Sequence, residues 1–216
     1  MTTASWTDLG HIQRAFQLSA EEAQKLAAFD ELLVETAQHT NLIARASLGD
    51  RWERHYADSA QLFDLLPATS QRLIDIGSGA GFPGIVLAIM AEQRLPQLRL
   101  QLVDSVGKKA RFLQTVISEL PLGNCHSSSQ RAEVFHVKHP PYDVVTARAV
   151  TALDKLLDLA VPLMSDDGLL IFPKGERAQE ELTKAAATWT FDLETRPSLT
   201  HSGAQILMIR KPERRS

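Results

Sequence analysis

The chain has 216 residues, of which 44% are hydrophobic and 23% charged, and its formal net charge is −3. This length and composition indicate one globular domain with an appendage. The charge excludes a protein that coats nucleic acid by bulk electrostatics, and the single cysteine excludes an internal disulfide framework and fits a reducing compartment.

The first 67 residues are predicted to be helical. Ser19 and Glu22 have the spacing of a capping box, and apolar residues follow them at helical spacing. A second helix is predicted to begin near Asp50 and to end before Pro67. We therefore expect a helical extension over residues 1–67, followed by one compact unit over residues 68–216.

Strands and helices alternate along the rest of the chain. We predict strands at 72–76, 98–103, 124–129, 142–147 and 169–173, helices at 84–92, 107–119, 151–164 and 176–188, and a turn at 165–168. The last two strands, 190–195 and 204–210, have no helix between them. The pattern predicts an α/β fold with a seven-stranded, mostly parallel sheet and a closing antiparallel hairpin. This arrangement is typical of Rossmann-like class I methyltransferases that use S-adenosylmethionine (SAM).

A glycine-rich loop connects the first strand of this sheet to the next helix. It contains Gly77, Gly79 and Gly81, and such a loop lets a ligand approach the backbone and the helix N–H groups closely. The spacing of Gly79, Gly81 and Gly84 also matches the dinucleotide fingerprint, which is a weak signal by itself. Asp75 is expected at the mouth of the loop, where it would repel a pyrophosphate. We therefore interpret Asp75 and the three loop glycines as a SAM site.

The second strand of the sheet ends in another carboxylate. Asp104 lies 27 residues after Gly77, at the position where both SAM and dinucleotide enzymes bind ribose hydroxyls. An ordinary glycine turn beside two strand-end aspartates remains an alternative. A nicotinamide-dependent oxidoreductase is a second alternative, although Asp75, the closing hairpin and the lack of a second nucleotide-binding half disfavour it.

Two basic residues follow the fourth and fifth strands. Arg148 and Lys174 are expected at the ligand edge of the sheet, where Arg148 could stack on a base or hold a carboxylate or phosphate. Each could also be an ordinary surface residue. On the second predicted helix, His55 and Asp58 are three residues apart, either as a solvated pair or as a cluster that faces what the helix covers.

Three other features are interpreted as having no catalytic role. His139-Pro-Pro-Tyr142 resembles an amino-methyltransferase motif but precedes its strand, so we interpret it as a stiff entry to that strand. His136 and His139 have no third ligand nearby, and no metal site is expected. Cys125 lies too early in the chain to resemble the nucleophile of cytosine methyltransferases.

Taken together, the motifs resemble the RsmG (GidB) family of bacterial ribosomal RNA methyltransferases. The similar segments run from about residue 20 to 210 and comprise Asn41-Leu42, His55-x-x-Asp58-Ser59, Ile74 to Ile85, Leu102-Val-Asp-Ser105 with Lys108-Lys109, Arg131-Ala-Glu133, Ala147-Arg148-Ala149 and Pro173-Lys174-Gly175. The family commonly has a Trp-Asn or similar polar pair before Asn41, where this chain has residues 37–40, Ala-Gln-His-Thr.

The resemblance implies a SAM-dependent enzyme that methylates N7 of one guanine in the decoding region of 16S rRNA. It also implies SAM contacts at Gly77, Phe82, Ala132, Glu133 and Arg148. The RNA is expected to contact His55, Asp58, Lys108, Lys109, Arg148 and Lys174. A non-catalytic RNA-binding module with the same fold is the remaining alternative.

The expected partner is 16S rRNA within a small-subunit particle, with no obligate protein partner. No apolar run approaches the length of a membrane span and no signal peptide is recognisable, so a cytoplasmic location is expected. Guanine N7 has a free lone pair and no proton to lose, so no general base is needed. Arg148 and Lys174 are therefore expected to orient the base or its phosphates, which makes catalysis a matter of positioning.

Overall fold

A computed structural model describes residues 6–135 and 141–215 of the chain. Its seven strands form one sheet in the order β3-β2-β1-β4-β5-β7-β6. The strands are β1 Arg72–Ile76, β2 Arg99–Val103, β3 Cys125–Ser128, β4 Tyr142–Ala147, β5 Met164–Lys174, β6 Trp189–Pro197 and β7 Gln205–Arg214. Strands β1 to β5 run parallel, whereas β7 is antiparallel to both β5 and β6. The predicted fold class is confirmed.

Eight α-helices accompany the strands in the described part of the chain. They are α1 Leu9–Ala15, α2 Ala20–Ala37, α3 Asp58–Ala60, α4 Gly84–Arg94, α5 Gly107–Glu119, α6 Ala132–Phe135, α7 Leu153–Ala160 and α8 Ala178–Ala185. The predicted capping box is present at the start of α2, because Ser19 Oγ accepts from the Glu22 backbone N–H and Glu22 accepts from that of Ser19.

The second N-terminal helix is less regular than predicted. A π-helix spans Trp52–Ala57, α3 follows it, and a 3₁₀ turn spans Phe63–Leu65. Side chains donate hydrogen bonds to backbone carbonyls of this irregular segment. The Arg54 carbonyl accepts from Arg148 at 2.6 Å, and the His55 carbonyl accepts from Ser59 Oγ at 2.6 Å. A tertiary contact therefore accompanies the widened turns.

The predicted turn at residues 165–168 is wrong. These residues belong to β5, whose register against β4 shifts between Tyr142 and Val144. Gly168 folds back tightly at this irregularity, since a Cβ there would lie 2.9 Å from the Ser165 carbonyl oxygen. The polar sequence thus produces a bulge within a strand.

The two faces of the sheet bury separate apolar clusters. The N-terminal helices share the first cluster with α4 and α5. The centre of the Phe29 ring on α2 lies 5.2 Å from that of Phe82, just before α4, and 6.4 Å from that of Phe112 on α5. Helices α7 and α8 pack into the second cluster. The domain boundary at residue 67 stays a prediction. Within the described residues, no helix is both long and apolar enough to cross a membrane.

Candidate functional site

The loop after β1 is tied to the end of β2. The backbone N–H groups of Gly77 and Ser78 both donate to the Val103 carbonyl, at 2.7 and 3.2 Å. Gly79 has a φ of +58°, a backbone conformation that residues with a side chain rarely adopt. Gly84, at the start of α4, is a packing requirement, because a Cβ there would lie 2.2 Å from Leu102. The predicted strand, glycine loop and helix are therefore all present.

Asp75 lies beneath this loop and not at its mouth. Its side chain is 0% exposed, Oδ1 accepts from Thr146 Oγ1 at 2.8 Å, and Oδ2 accepts from the Gly84 N–H at 3.2 Å. Burial raises the pKa of Asp75 to about 6, opposed by these hydrogen bonds. The predicted position of Asp75 at the mouth of the loop is therefore wrong, and its carboxylate instead joins β1, β4 and the start of α4.

Asp104 occupies the position that Asp75 was expected to hold. Asp104 directly follows β2. Its Oδ2 accepts from the Gly79 N–H and its Oδ1 from the Val106 N–H, both at 2.8 Å. These bonds hold the glycine loop against the end of β2. Each oxygen keeps a further lone pair for a hydroxyl donor.

A pocket of about 290 Å³ opens beside Asp104. Its wall combines a carboxylate, backbone and apolar side chains, which suits a ligand with both a polar sugar and an apolar ring. The lining residues include Ile76, Gly77, Asp104, Val106, Lys109, Ala132, Glu133, Ala149, Val150 and Leu159. Of the predicted ligand residues, Gly77, Asp104, Ala132 and Glu133 meet here, whereas Gly79, Gly81 and Phe82 are not in the wall.

Arg148 follows β4 and is held by the N-terminal segment. Its Nη1 donates to the Arg54 carbonyl at 2.6 Å and to Asp58 Oδ2 at 3.3 Å, and its Nη2 donates to His55 Nδ1 at 3.0 Å. The guanidinium also lies 5.6 Å from the centre of the Phe82 ring. The arginine therefore connects the glycine loop to residues 90 to 94 positions earlier in the chain.

His55 is a neutral member of this cluster. Burial and the neighbouring Arg148 and Arg54 lower its pKa to about 4. Because Nδ1 accepts from Arg148, the ring proton is assigned to Nε2, which lies 3.1 Å from Ser47 Oγ. The ring also stacks on Phe82 at 5.0 Å. Both ring nitrogens are thus engaged within the protein, one of them with Arg148. The predicted contact of His55 with RNA stays a prediction.

A second cavity, a cleft of about 800 Å³, lies on the other side of the segment after β4. Among the predicted residues, it brings together Asp58, Arg148 and Lys174. Lys174 is 9% exposed and donates to Glu181 Oε2 at 2.8 Å and to the Thr151 carbonyl at 3.0 Å. Its ammonium is therefore already bonded within the protein, and the predicted role of Lys174 in orienting the base or its phosphates stays a prediction.

The predicted lysine pair lies elsewhere. Lys109 faces the small pocket, and Lys108 is exposed near the start of α5, so neither lines the large cleft. The cleft is instead lined by two exposed arginines that the sequence did not single out as site residues, Arg54 and Arg177. Neither side chain forms an ion pair with the described residues. Arg54 lies close to Arg45 and Arg51 in the sequence, and this basic cluster could have indicated it. No motif in the sequence indicates Arg177.

Other expectations have simpler outcomes. Burial raises the pKa of the Cys125 thiol, which makes it unreactive. Tyr142 begins β4, as expected, while His136, His139 and the rest of 136–140 lie outside the described residues. Over the described ranges, no three His, Cys, Asp or Glu side chains are grouped to hold a metal ion.

Comparisons with known proteins agree on one family. The family model GidB, described as rRNA small subunit methyltransferase G, matches residues 22–209. Proteins called ribosomal RNA small subunit methyltransferase G from Rhodospirillum centenum and Brucella canis are 44% identical over 197 residues and 40% identical over 200 residues. The alignments cover 91% of this chain and 88% of the first relative, and 92% of both chains for the second.

Solved structures provide an independent comparison of the fold. A putative O-methyltransferase from Klebsiella pneumoniae has a TM-score of 0.61 at 11% identity and covers 98% of this chain and 100% of its own. The O-methyltransferase TomG from Streptomyces achromogenes, solved in complex with SAM, has a TM-score of 0.61 at 12% identity, with 98% and 99% covered. At such identities the likeness concerns the fold alone.

Proposed function

Because the chain belongs to the rRNA small subunit methyltransferase G (GidB) family, we propose that it transfers a methyl group from SAM to N7 of a guanine in 16S rRNA. Membership of this family confirms the prediction that the chain is a SAM-dependent rRNA methyltransferase. It does not favour a nicotinamide oxidoreductase or a non-catalytic RNA-binding module. We further propose that the substrate is a small-subunit particle in the cytoplasm, since a chain of net charge −3 gains little from naked RNA by bulk electrostatics.

The small pocket suits SAM in its donor set. Asp104 offers a carboxylate to ribose hydroxyls at the carboxyl end of β2, and Val106, Val150 and Leu159 offer apolar surface to a ring. Glu133 is exposed in the same wall and can accept hydrogen bonds from an exocyclic amino group. When bound, SAM supplies a methyl group on a sulfonium.

The observation that carries the proposal is that the two cavities share Ala149 and Val150. A donor in the small pocket and a base in the large cleft would therefore meet at the segment that follows β4. Ala149 has φ +55°, an uncommon backbone conformation that concentrates at functional sites. The same segment begins with Arg148, which is the fixed cation nearest this meeting point in sequence.

The groups that hold Arg148 are suited to positioning and not to proton transfer. His55 is neutral with both nitrogens engaged, and Asp58 accepts from Arg148, Gln61 and Thr200. Guanine N7 has a free lone pair and no proton to lose, so its methylation needs no base. We infer that Arg148 orients the base or its phosphates, and that Lys174 acts indirectly by holding the Thr151 carbonyl.

The test is methyl transfer from labelled SAM to unmodified small-subunit particles, followed by mapping of the labelled base. We expect one 7-methylguanine in 16S rRNA, and less label on naked 16S rRNA than on particles. Arg148→Ala should slow single-turnover transfer, and Arg148→Lys should rescue it poorly, because an ammonium cannot replace the planar fork. Arg196→Ala is the matched control, since Arg196 is exposed on β6 and, among the described residues, its one ion pair is with exposed Glu194. Label on another atom or base contradicts the proposal.

A further inference from the structure

The loop between β6 and β7, residues 198–204, is fastened to the N-terminal segment. Its Leu199 N–H donates to Gln61 Oε1 at 2.8 Å, and Gln61 Nε2 lies 3.3 Å from Ser198 Oγ. Thr200 Oγ1 donates to Asp58 Oδ1 at 3.0 Å. Since Asp58 also accepts from Arg148, this loop and the arginine are anchored to the same carboxylate.

Leu199 is exposed on this well-anchored loop. Its side chain is 61% exposed, more than any other large apolar side chain in the described part of the chain. Its neighbours Ser198 and Thr200 line the large cleft, whereas Leu199 does not. A single exposed leucine is ordinary on a protein surface. A leucine whose own backbone N–H is fixed, at the rim of a cleft, is instead preorganised for contact.

The cleft carries charges of both signs, and its exposed cations indicate what contacts the leucine. Asp50, Glu53, Asp58 and Glu181 line it beside Arg54, Arg148, Lys174 and Arg177. Of the basic residues, Arg54 and Arg177 are exposed and form no ion pair with the described residues. Cations on the walls suit phosphates, and an apolar rim suits the face of an unstacked base. Single-stranded RNA supplies both groups, because its bases are splayed out when a protein recognises them.

The chemistry of the acceptor leads to the same partner. In paired A-form RNA the major groove that contains guanine N7 is deep and narrow, so side chains cannot reach it. The target guanine must therefore leave the helix or be presented unpaired. Apolar side chains that enter between bases stabilise such an opened arrangement in nucleic-acid complexes.

We propose that Leu199 is a substrate-binding wedge, which packs against an rRNA base next to the target guanine while that guanine occupies the large cleft. This inference rests on the proposed function, because it presumes an RNA acceptor. It assigns the β6–β7 loop to substrate recognition and leaves the SAM pocket unaffected. Leu199 is thus a specificity residue that makes no contact with the reacting atoms.

The experiment compares Leu199→Ala with Leu193→Ala in methyl transfer to small-subunit particles. Leu193 is a matched control, since it is 42% exposed on β6 and does not line the cleft. Leu199→Ala should raise the KM for particles about five- to thirtyfold, as expected for loss of one leucine contact. The single-turnover rate at saturating particles and the affinity for SAM should stay within about twofold of the parent. Leu199→Phe should keep a low KM, because aromatic rings stack on bases.

The outcomes separate this inference from the proposed function. If the parent protein methylates particles and both leucine variants share its KM, the wedge is refuted. A fall in the saturating rate or in SAM affinity for Leu199→Ala, with KM unchanged, also refutes it, because the loop would then act on the catalytic site. If the parent protein transfers no methyl group to particles, the proposed function itself fails.

Discussion

Replacing Thr146 by valine should reveal the buried charge beneath the glycine loop. The substitution keeps the shape of the side chain but removes the hydroxyl that donates to Asp75 Oδ1 at 2.8 Å. Both residues are 0% exposed, so no water replaces the lost donor easily. A hydrogen bond to a charged group contributes about 1.5–3 kcal/mol, and one between neutral groups about 1 kcal/mol.

The loss of stability should therefore depend on pH. The pKa of Asp75 is 3.8 in the unfolded chain and about 6 in the folded parent protein. The contribution of protonated Asp75 to the stability of the fold is therefore fully present below pH 3.8 and is lost as the pH rises through 6. Thr146 opposes this rise, and without it the pKa of Asp75 moves further upward. Thr146→Val should thus cost about 1 kcal/mol at pH 5 and roughly 1.5–3 kcal/mol at pH 8.

Urea unfolding of the protein without SAM, at pH 5 and pH 8, measures the difference. Thr183→Val is the matched control, because Thr183 donates to the Gln179 carbonyl on the exposed surface of α8 and should change stability by less than about 0.5 kcal/mol. An equal loss for Thr146→Val at both pH values would refute the reasoning, since Asp75 would then not be the buried ionised acceptor.

Three further predictions concern ligands and rates. Asp104→Ala should weaken SAM binding roughly ten- to a hundredfold in calorimetry, because it removes a charged acceptor that also holds the glycine loop; unchanged affinity would exclude this ribose site. The single-turnover rate should stay flat from about pH 6 to 9, since His55 has a pKa of about 4; an acidic limb near 6.5 that disappears in His55→Ala would identify a base. Arg54→Ala and Arg177→Ala should each lower the salt slope of particle binding by about one, whereas exposed Lys155→Ala, outside the cleft, should not; equal slopes for all three would remove the arginines from the RNA path.

Local patterns in the sequence determined the order of the elements and located the glycine loop beside the proposed SAM pocket. An apolar strand, three loop glycines and an apolar helix follow one another directly in the chain, between Arg72 at the start of β1 and Arg94 at the end of α4. The position of Asp104 in the pocket wall was predictable for the same reason, because it follows from its place at the end of a strand. The closing hairpin was predictable from two strands without a helix between them.

Only the tertiary structure decided what each charged side chain contacts. Asp75 was expected beside a ligand, but Thr146 and Gly84 enclose it, and no local pattern reports which groups cover a strand end. Arg148 bonds to residues more than 90 positions away. Such contacts depend on how the N-terminal segment docks on the sheet.

The residues around the large cleft show the same division. Lys174 was placed correctly at the edge of the sheet, yet Glu181 occupies its ammonium. The π-helical turns of Trp52–Ala57 accompany a hydrogen bond from Arg148 to the Arg54 carbonyl. The helical periodicity of the sequence does not reveal such a contact. Periodicity and glycine spacing are properties of neighbouring residues, so the sequence displays them directly. Solvent exposure, pKa and hydrogen-bond partners arise only when distant segments pack together.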